Sequence, residues 1–294
     1  MLAALRGTRI YFDIEGAGLV PDGPRMRERP VAMVIHGGPG GDHAGFKPGF
    51  TPLAAHMQLV YFDHRGQGRS ALANPDGDPA RFTLDENAED MEALRRHLGL
   101  GPIVSIGTSY GGMVAMAHAA RYPDAVSHLI LAVIAAHGGF IPMAEAAVRA
   151  RGTDEQRRVC ETLWAGGFRS AAELREYYKV MGPLYARHHD AGAAAEGQAR
   201  AIHAPVPLNR AFGPGGFLRS FDLRPELGRI TAPVLILAGR HDWICPPVFS
   251  EEIHRLIPGS TLRIFEDSSH SLRVDQPADL LAAITAFVTG ETVV

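Results

Sequence analysis

The chain has 294 residues, of which 46% are hydrophobic and 21% charged, with a formal net charge of −3. That is enough for one large core with an insertion, or for two domains. The slight acidity removes any electrostatic case for nucleic acid or an anionic membrane surface, and no apolar run approaches the roughly 20 residues that span a bilayer.

Met1–Arg6 carries neither a charged leader nor a long enough apolar stretch for a secretory signal, so a cytoplasmic location is expected. The two cysteines, Cys160 and Cys245, lie far apart and outside any C-x-x-C, which favours free thiols in a reducing compartment. Thr8–Ile14 reads as a first strand, and Gly16–Pro30, rich in glycine, proline and charge, as a surface loop.

Short apolar runs then recur at wide spacing: Val31–Ile35, Leu59–Phe62, Ile103–Ile106, Leu129–Val133, Val234–Ala238 and Leu262–Phe265. They are apolar on both faces, as strands of a doubly covered parallel sheet are. Thr83-Leu-Asp-Glu86 is a capping box, and behind it Leu84, Ala88, Met91, Leu94 and Leu98 form one helical stripe. This alternation predicts an α/β fold with a mostly parallel central sheet flanked by helices. It lapses over 138–229, where helical patterns such as Ala171–Met181 and loop-like Ala204-Pro-Val-Pro207 predict a helical cap inserted between core segments 1–137 and 230–294.

The central chemical signal is Gly107-Thr-Ser109-Tyr-Gly111, preceded by an apolar strand and followed by a small-residue helix. A serine on a sharp strand-to-helix turn needs tiny residues two before and two after it. The helix behind it aims N–H groups and a positive dipole end at a developing oxyanion. Ser109 is therefore the predicted nucleophile. The glycine loop His36-Gly-Gly38-Pro-Gly-Gly41, at the end of another strand, supplies a second donor, which makes the Gly38 and Tyr110 N–H groups the predicted oxyanion hole.

Fourteen histidines leave composition unable to choose the base, so position must. In chain order an acid and then a histidine should follow the serine, each just past a strand end. Asp242 follows Val234–Ala238 and His270 follows Leu262–Phe265, so Asp242 is the predicted acid and His270 the predicted base. Asp267 is the rival acid. His241 reads as a surface residue, His36 as a brace for its glycine loop, and His118 as a packed helix residue. His188-His189-Asp190 lacks complementary ligands, so neither metal nor cofactor is expected. Asp63-His-Arg65-Gly66-Gln-Gly68-Arg69-Ser70 reads as a scaffold turn held by an internal salt bridge.

These motifs together, with Gly239-Arg-His-Asp242-Trp-Ile-Cys-Pro246, resemble the proline iminopeptidase group of the α/β-hydrolase superfamily over residues 8–137 and 230–290. The resemblance implies an α/β-hydrolase fold and a serine hydrolase that needs no metal or cofactor. Its expected partner is a small-molecule or short-peptide substrate, and the protein is expected to be a monomer or small homo-oligomer. Removal of an N-terminal aminoacyl group is the first activity implied. Related proteins cleave esters or lactones, and a ligand-binding receptor of the same fold is the remote alternative.

Two departures bear on substrate. Tyr110 stands where the best-known iminopeptidases carry tryptophan, and Phe212–Phe217 contains no acid to hold a substrate amine. An aminopeptidase would then need a pocket-facing acid among Glu145, Glu161, Glu173, Glu176, Asp190 and Glu196. An apolar lining from Phe140, Trp164, Tyr177, Phe212 and Phe217 would favour esters or lactones.

Overall fold

The apolar runs do become sheet strands, and their two-sided burial explains their composition. The computed structural model describes residues 1–290. Its strands are β1 (Leu2–Leu5), β2 (Thr8–Glu15), β3 (Leu19–Asp22), β4 (Arg25–Glu28), β5 (Val31–Ile35), β6 (Gln58–Phe62), β7 (Ile103–Thr108), β8 (Val126–Ala132), β9 (Val234–Gly239) and β10 (Thr261–Phe265). Eight of them form one sheet in the order β1-β2-β6-β5-β7-β8-β9-β10. From β6 to β10 every pairing is parallel, and β1 and β2 add an antiparallel edge. Along β5, Met33 and Ile35 join a buried cluster with the helices Leu84–His97 and Tyr110–Arg121. Ala32 and Val34 point the other way, to Phe50, Leu280 and Ile284.

The sheet edge differs from the sequence reading. Residues 2–5 form β1, turned into β2 through Arg6 and Gly7 at φ 47° and 75°. Two positive φ values make the mirror-image turn that matches strand twist, but arginine replaces the usual asparagine or aspartate and hides the signal. The supposed loop Gly16–Pro30 contains the separate hairpin β3–β4, closed by the two-residue loop Gly23-Pro24 with Gly23 at φ 59°.

Between β8 and β9 the chain leaves the sheet for the helices Phe140–Arg151, Asp154–Ala165, Ala171–Tyr185, Ala191–Arg200 and Pro205–Phe212, with shorter turns after them. Ala204–Pro207 is therefore the start of a helix rather than a loop; Pro205 occupies the first turn, where its missing N–H has no intrahelical acceptor to lose. Thr83 caps its helix through the Glu86 N–H at 3.2 Å, but Glu86 does not reciprocate and its carboxylate binds Arg81 and Arg6. The complete capping box is Thr153 with Gln156. Among the described residues no helix is long and apolar enough to cross a membrane.

Candidate active site

Ser109 sits where β7 runs into the helix Tyr110–Arg121, at φ 55° and ψ −125°. A non-glycine residue held there costs of order 1–3 kcal/mol, and the surroundings hold it. Its N–H donates to the Ala132 carbonyl at 2.8 Å, and its carbonyl accepts from the Gly112 N–H at 2.8 Å. A Cβ on Gly107 would lie 2.5 Å from the Gly111 oxygen, and one on Gly111 would lie 2.2 Å from the Ile35 oxygen. Gly112 is equally confined, 2.3 Å from Ile134 Cγ2, a constraint that the five-residue motif does not include.

The glycine loop lies directly against this turn. A Cβ on Gly37 would be 3.0 Å from the Thr108 oxygen and 3.2 Å from Ser109 Cβ. Gly38, at φ 124°, and Tyr110 both border the cavity above Ser109. As the first helical residue, Tyr110 has no intrahelical acceptor for its N–H, while its hydroxyl turns inward to accept from Asn87 Nδ2 at 2.6 Å. The Gly40 N–H is already taken by Gln67 Oε1 at 2.7 Å.

His36 binds the Gly37 carbonyl through Nδ1 at 2.8 Å and accepts the His64 N–H at Nε2 at 3.2 Å. The loop thus leans on a ring that burial holds neutral. The scaffold turn beside it is not closed by its own charges. Asp63 binds the His43 ring at 2.7 Å and the Arg69 N–H at 2.8 Å, Arg65 makes a two-point pair with Asp90, and Arg69 reaches Asp42. The expected internal salt bridge is replaced by pairs to two neighbouring segments, Asp42–His43 and the helix Leu84–His97.

Asp242 and His270 stand past the ends of β9 and β10. One Asp242 oxygen accepts the Ile244 and Cys245 N–H groups at 2.8 and 3.0 Å, which aims the other at His270 Nδ1, 2.8 Å away. Nδ1 then carries the proton and Nε2 is left as a proton acceptor. Asp242 is 3% exposed and His270 6%, so little water competes for the bond. The two loops are drawn together at Gly239, where a Cβ would fall 2.0 Å from the Ser269 oxygen. Tyr185 sets its ring edge-on to His270 with centroids 5.6 Å apart.

The structure brings Ser109, His270, Gly38 and Tyr110 to one cavity of about 770 Å³, with Asp242 behind His270. Asp267 lies elsewhere, exposed and bound to Arg187 and His188. His241 is exposed, and His118 is buried on its helix against Glu92 at 3.0 Å. Cys160 and Cys245 are buried free thiols, each pushed up in pKa by desolvation.

The cap side of the cavity is aromatic, with Phe140, Trp164, Tyr177 and Phe212 on its wall; Phe217 instead packs on Tyr110, with centroids 6.1 Å apart. Glu145, Glu161, Glu173, Glu176 and Glu196 are not on the wall. Three of them pair with Arg219, Arg169 and Lys179. Among the described residues the bordering carboxylates are Asp190 and Asp42. Asp190 is exposed and caps the next helix through the Ala193 N–H at 2.9 Å. Asp42 is buried and holds the Ala44 and Ile202 N–H groups and Arg69.

The fold and this site define a hydrolase: the chain belongs to the alpha/beta hydrolase fold family, whose pattern matches residues 30–277. Among particular relatives, it is 30% identical over 279 residues to the proline iminopeptidase PfmaB of Pestalotiopsis fici, covering 90% of this chain and 94% of that protein. Its structure is similar to the proline iminopeptidase of Mycobacterium smegmatis (TM-score 0.77, 21% identity, 99% and 97% of the two chains). It is also similar to the esterase EaEST of Exiguobacterium antarcticum (TM-score 0.75, 22% identity, 98% of each chain).

Proposed function

We propose that the enzyme cleaves a small carboxylic ester or lactone through an acyl-enzyme on Ser109. His270 Nε2 takes the Ser109 proton as Oγ attacks the carbonyl carbon, and Asp242 stabilises the imidazolium. The Gly38 and Tyr110 N–H groups hold the oxyanion. As the tetrahedral adduct collapses, the alkoxide leaves with the proton from His270, and water repeats the sequence to release the acid. The elbow geometry of Ser109 and the Asp242–His270 bond support this reading. We assign the catalytic core to 1–137 and 230–294 and the cap to 138–229. The buried, unpaired cysteines support a cytoplasmic setting.

The observation that carries the substrate class is the cavity wall. A substrate ammonium entering it would lose hydration worth several kcal/mol, with only the exposed, helix-capping Asp190 on hand to meet it. That reverses the order of preference drawn from the sequence. The names of the iminopeptidase relatives support an aminoacyl amide as the second reading, with Asp190 as the one candidate partner for the amine.

A fluorophosphonate should label the wild type at Ser109 and leave S109A unlabelled; labelling elsewhere would remove the nucleophile assignment. Alanine p-nitroanilide and its N-acetyl form should react at similar rates, both below a matched p-nitrophenyl ester. A free-amine advantage of about tenfold or more, some 1.4 kcal/mol, would establish the aminopeptidase reading instead.

A further inference from the structure

We propose that Arg273 binds a carboxylate carried by the substrate, so that the enzyme acts on small esters or lactones bearing one negative charge. The inference rests on the ester reading above and adds a substrate class to it. Arg273 lies on the short helix Leu272–Asp275, three residues beyond His270, and borders the same cavity as Ser109. Its guanidinium carbon sits 4.6 Å from the centre of the Phe46 ring, and Nε donates to the Gly45 carbonyl at 3.3 Å. Among the described residues its two terminal nitrogens have no hydrogen-bond partner and no carboxylate comes within 4 Å.

The other core arginines near this site are not left so. Arg65 is paired with Asp90, and Arg69 with Asp42. An arginine stays charged in a protein, and burial disfavours that charge at Arg273 with no acid to offset it. Arg273 is half-buried, and the aromatic face and one carbonyl compensate only part of the hydration that this burial removes. What remains is a fork of N–H donors, the geometry that takes a carboxylate through two parallel bonds. A carboxylate fills one such fork with both of its oxygens.

The surroundings agree. Asp42 is already bonded and Asp190 caps a helix, so neither competes for the guanidinium. Arg175, Lys179 and Arg200 also border the cavity, but all three are exposed and Lys179 is paired with Glu176. Their field favours entry of an anion without fixing its position, because solvent and salt screen exposed charges. Phe140, Trp164 and Phe212 are left to hold the apolar remainder.

The test separates binding from turnover by using S109A protein and calorimetry. Two isomeric monoanions, monomethyl glutarate and 4-acetoxybutanoate, carry the charge on the acyl and alcohol sides respectively; dimethyl glutarate is the neutral control. At least one monoanion should bind S109A about tenfold or more tightly than the diester, as one partly desolvated charge pair provides. That preference should collapse in S109A/R273Q and S109A/R273M, and persist in S109A/R200Q. Equal binding of anion and diester to S109A overturns the proposal without a second substitution, as does a preference that survives loss of Arg273. Failure of the hydrolase reading would show separately, as absence of fluorophosphonate labelling at Ser109 in the wild type.

Discussion

The two walls of the cavity are built by different means. On the core side, the support behind Ser109 is backbone on backbone at Gly107, Gly111 and Gly239, where a single methyl group would overlap its neighbour, and Gly112 is confined in the same way by the Ile134 side chain. Above Ser109 the cap wall is side chains on helices, and one of those helices, Ala191–Arg200, buries none of its residues. Close-packed backbone has one arrangement, so it can hold a strained serine and a bonded acid–base pair in place. A wall of side chains can change its lining without disturbing that geometry. On the function proposed above, the reaction belongs to the first wall and the choice of substrate to the second.

Changes in the core wall should therefore be the most damaging. Ser109→Ala and His270→Ala should each lower kcat by roughly 10⁴–10⁶, the range seen when one member of such a unit is removed, while melting temperature stays near the wild-type value. More than a tenth of the activity left in either variant would break the comparison. Asp242→Asn keeps the shape but offers His270 the wrong partner, at a cost of about 10⁴ in kcat. Asp267→Asn should change the rate by less than about threefold, since it severs only exposed ion pairs. The reverse ranking would move the acid to the wrong strand end.

Gly111→Ala should lower stability by about 3 kcal/mol, near the upper end for overpacking, because its Cβ would meet the Ile35 carbonyl at 2.2 Å. Denaturant unfolding reads this directly; a loss under about 1 kcal/mol would mean that the core wall yields.

The smallest effect belongs to the cap. His203 is buried against Tyr178, neither ring nitrogen has a partner, and burial, followed by the charge of Arg175, lowers its pKa to about 4. The unfolded chain takes up this proton near pH 6.5 and the folded one only near pH 4. The contribution to stability is therefore complete above the unfolded value and is lost as pH falls between the two. His203→Phe should shrink the drop in melting temperature between neutral and mildly acid pH. Some drop should persist, because His36 and His64 in the core are shifted the same way by burial. An unchanged drop would show that His203 does not carry the cap's share.

What could be read in the sequence follows the same division. The strands β5 to β10 announce themselves because burial on both faces demands unbroken apolar runs. β1 is only four residues long and lies at the sheet edge, and the β3–β4 hairpin lies outside the main sheet, where exposure permits charge and proline. Ser109, Asp242 and His270 are legible as positions because steric limits at a strand end restrict which residues fit. The hold of Gln67 on Gly40 and the pairing of His43 with Asp63 join distant segments, and no local pattern reports them. Arg273 has no sequence signal at all: a cation with no acidic partner among the described residues is visible only when every acid in reach has been accounted for. The cap acids are visible in the sequence, but their orientation depends on how five helices pack.

The helix Ala191–Arg200 has a consequence of its own. It roofs the cavity through Ala193, Ala194, Gly197 and Gln198, yet no residue in it is buried. Just past its end the chain is pinned to the core, where the Ile202 N–H meets Asp42 and the Ala204 N–H meets the Gly40 carbonyl at 2.9 Å. With so little apolar surface to surrender, this ten-residue helix can open at a small fraction of the free energy that unfolds the sheet. Its amide hydrogens should exchange with solvent orders of magnitude faster than those of Tyr110–Arg121, while Ile202 and Ala204 remain protected. A roof that loosens there would stay attached to the glycine loop through these two hydrogen bonds.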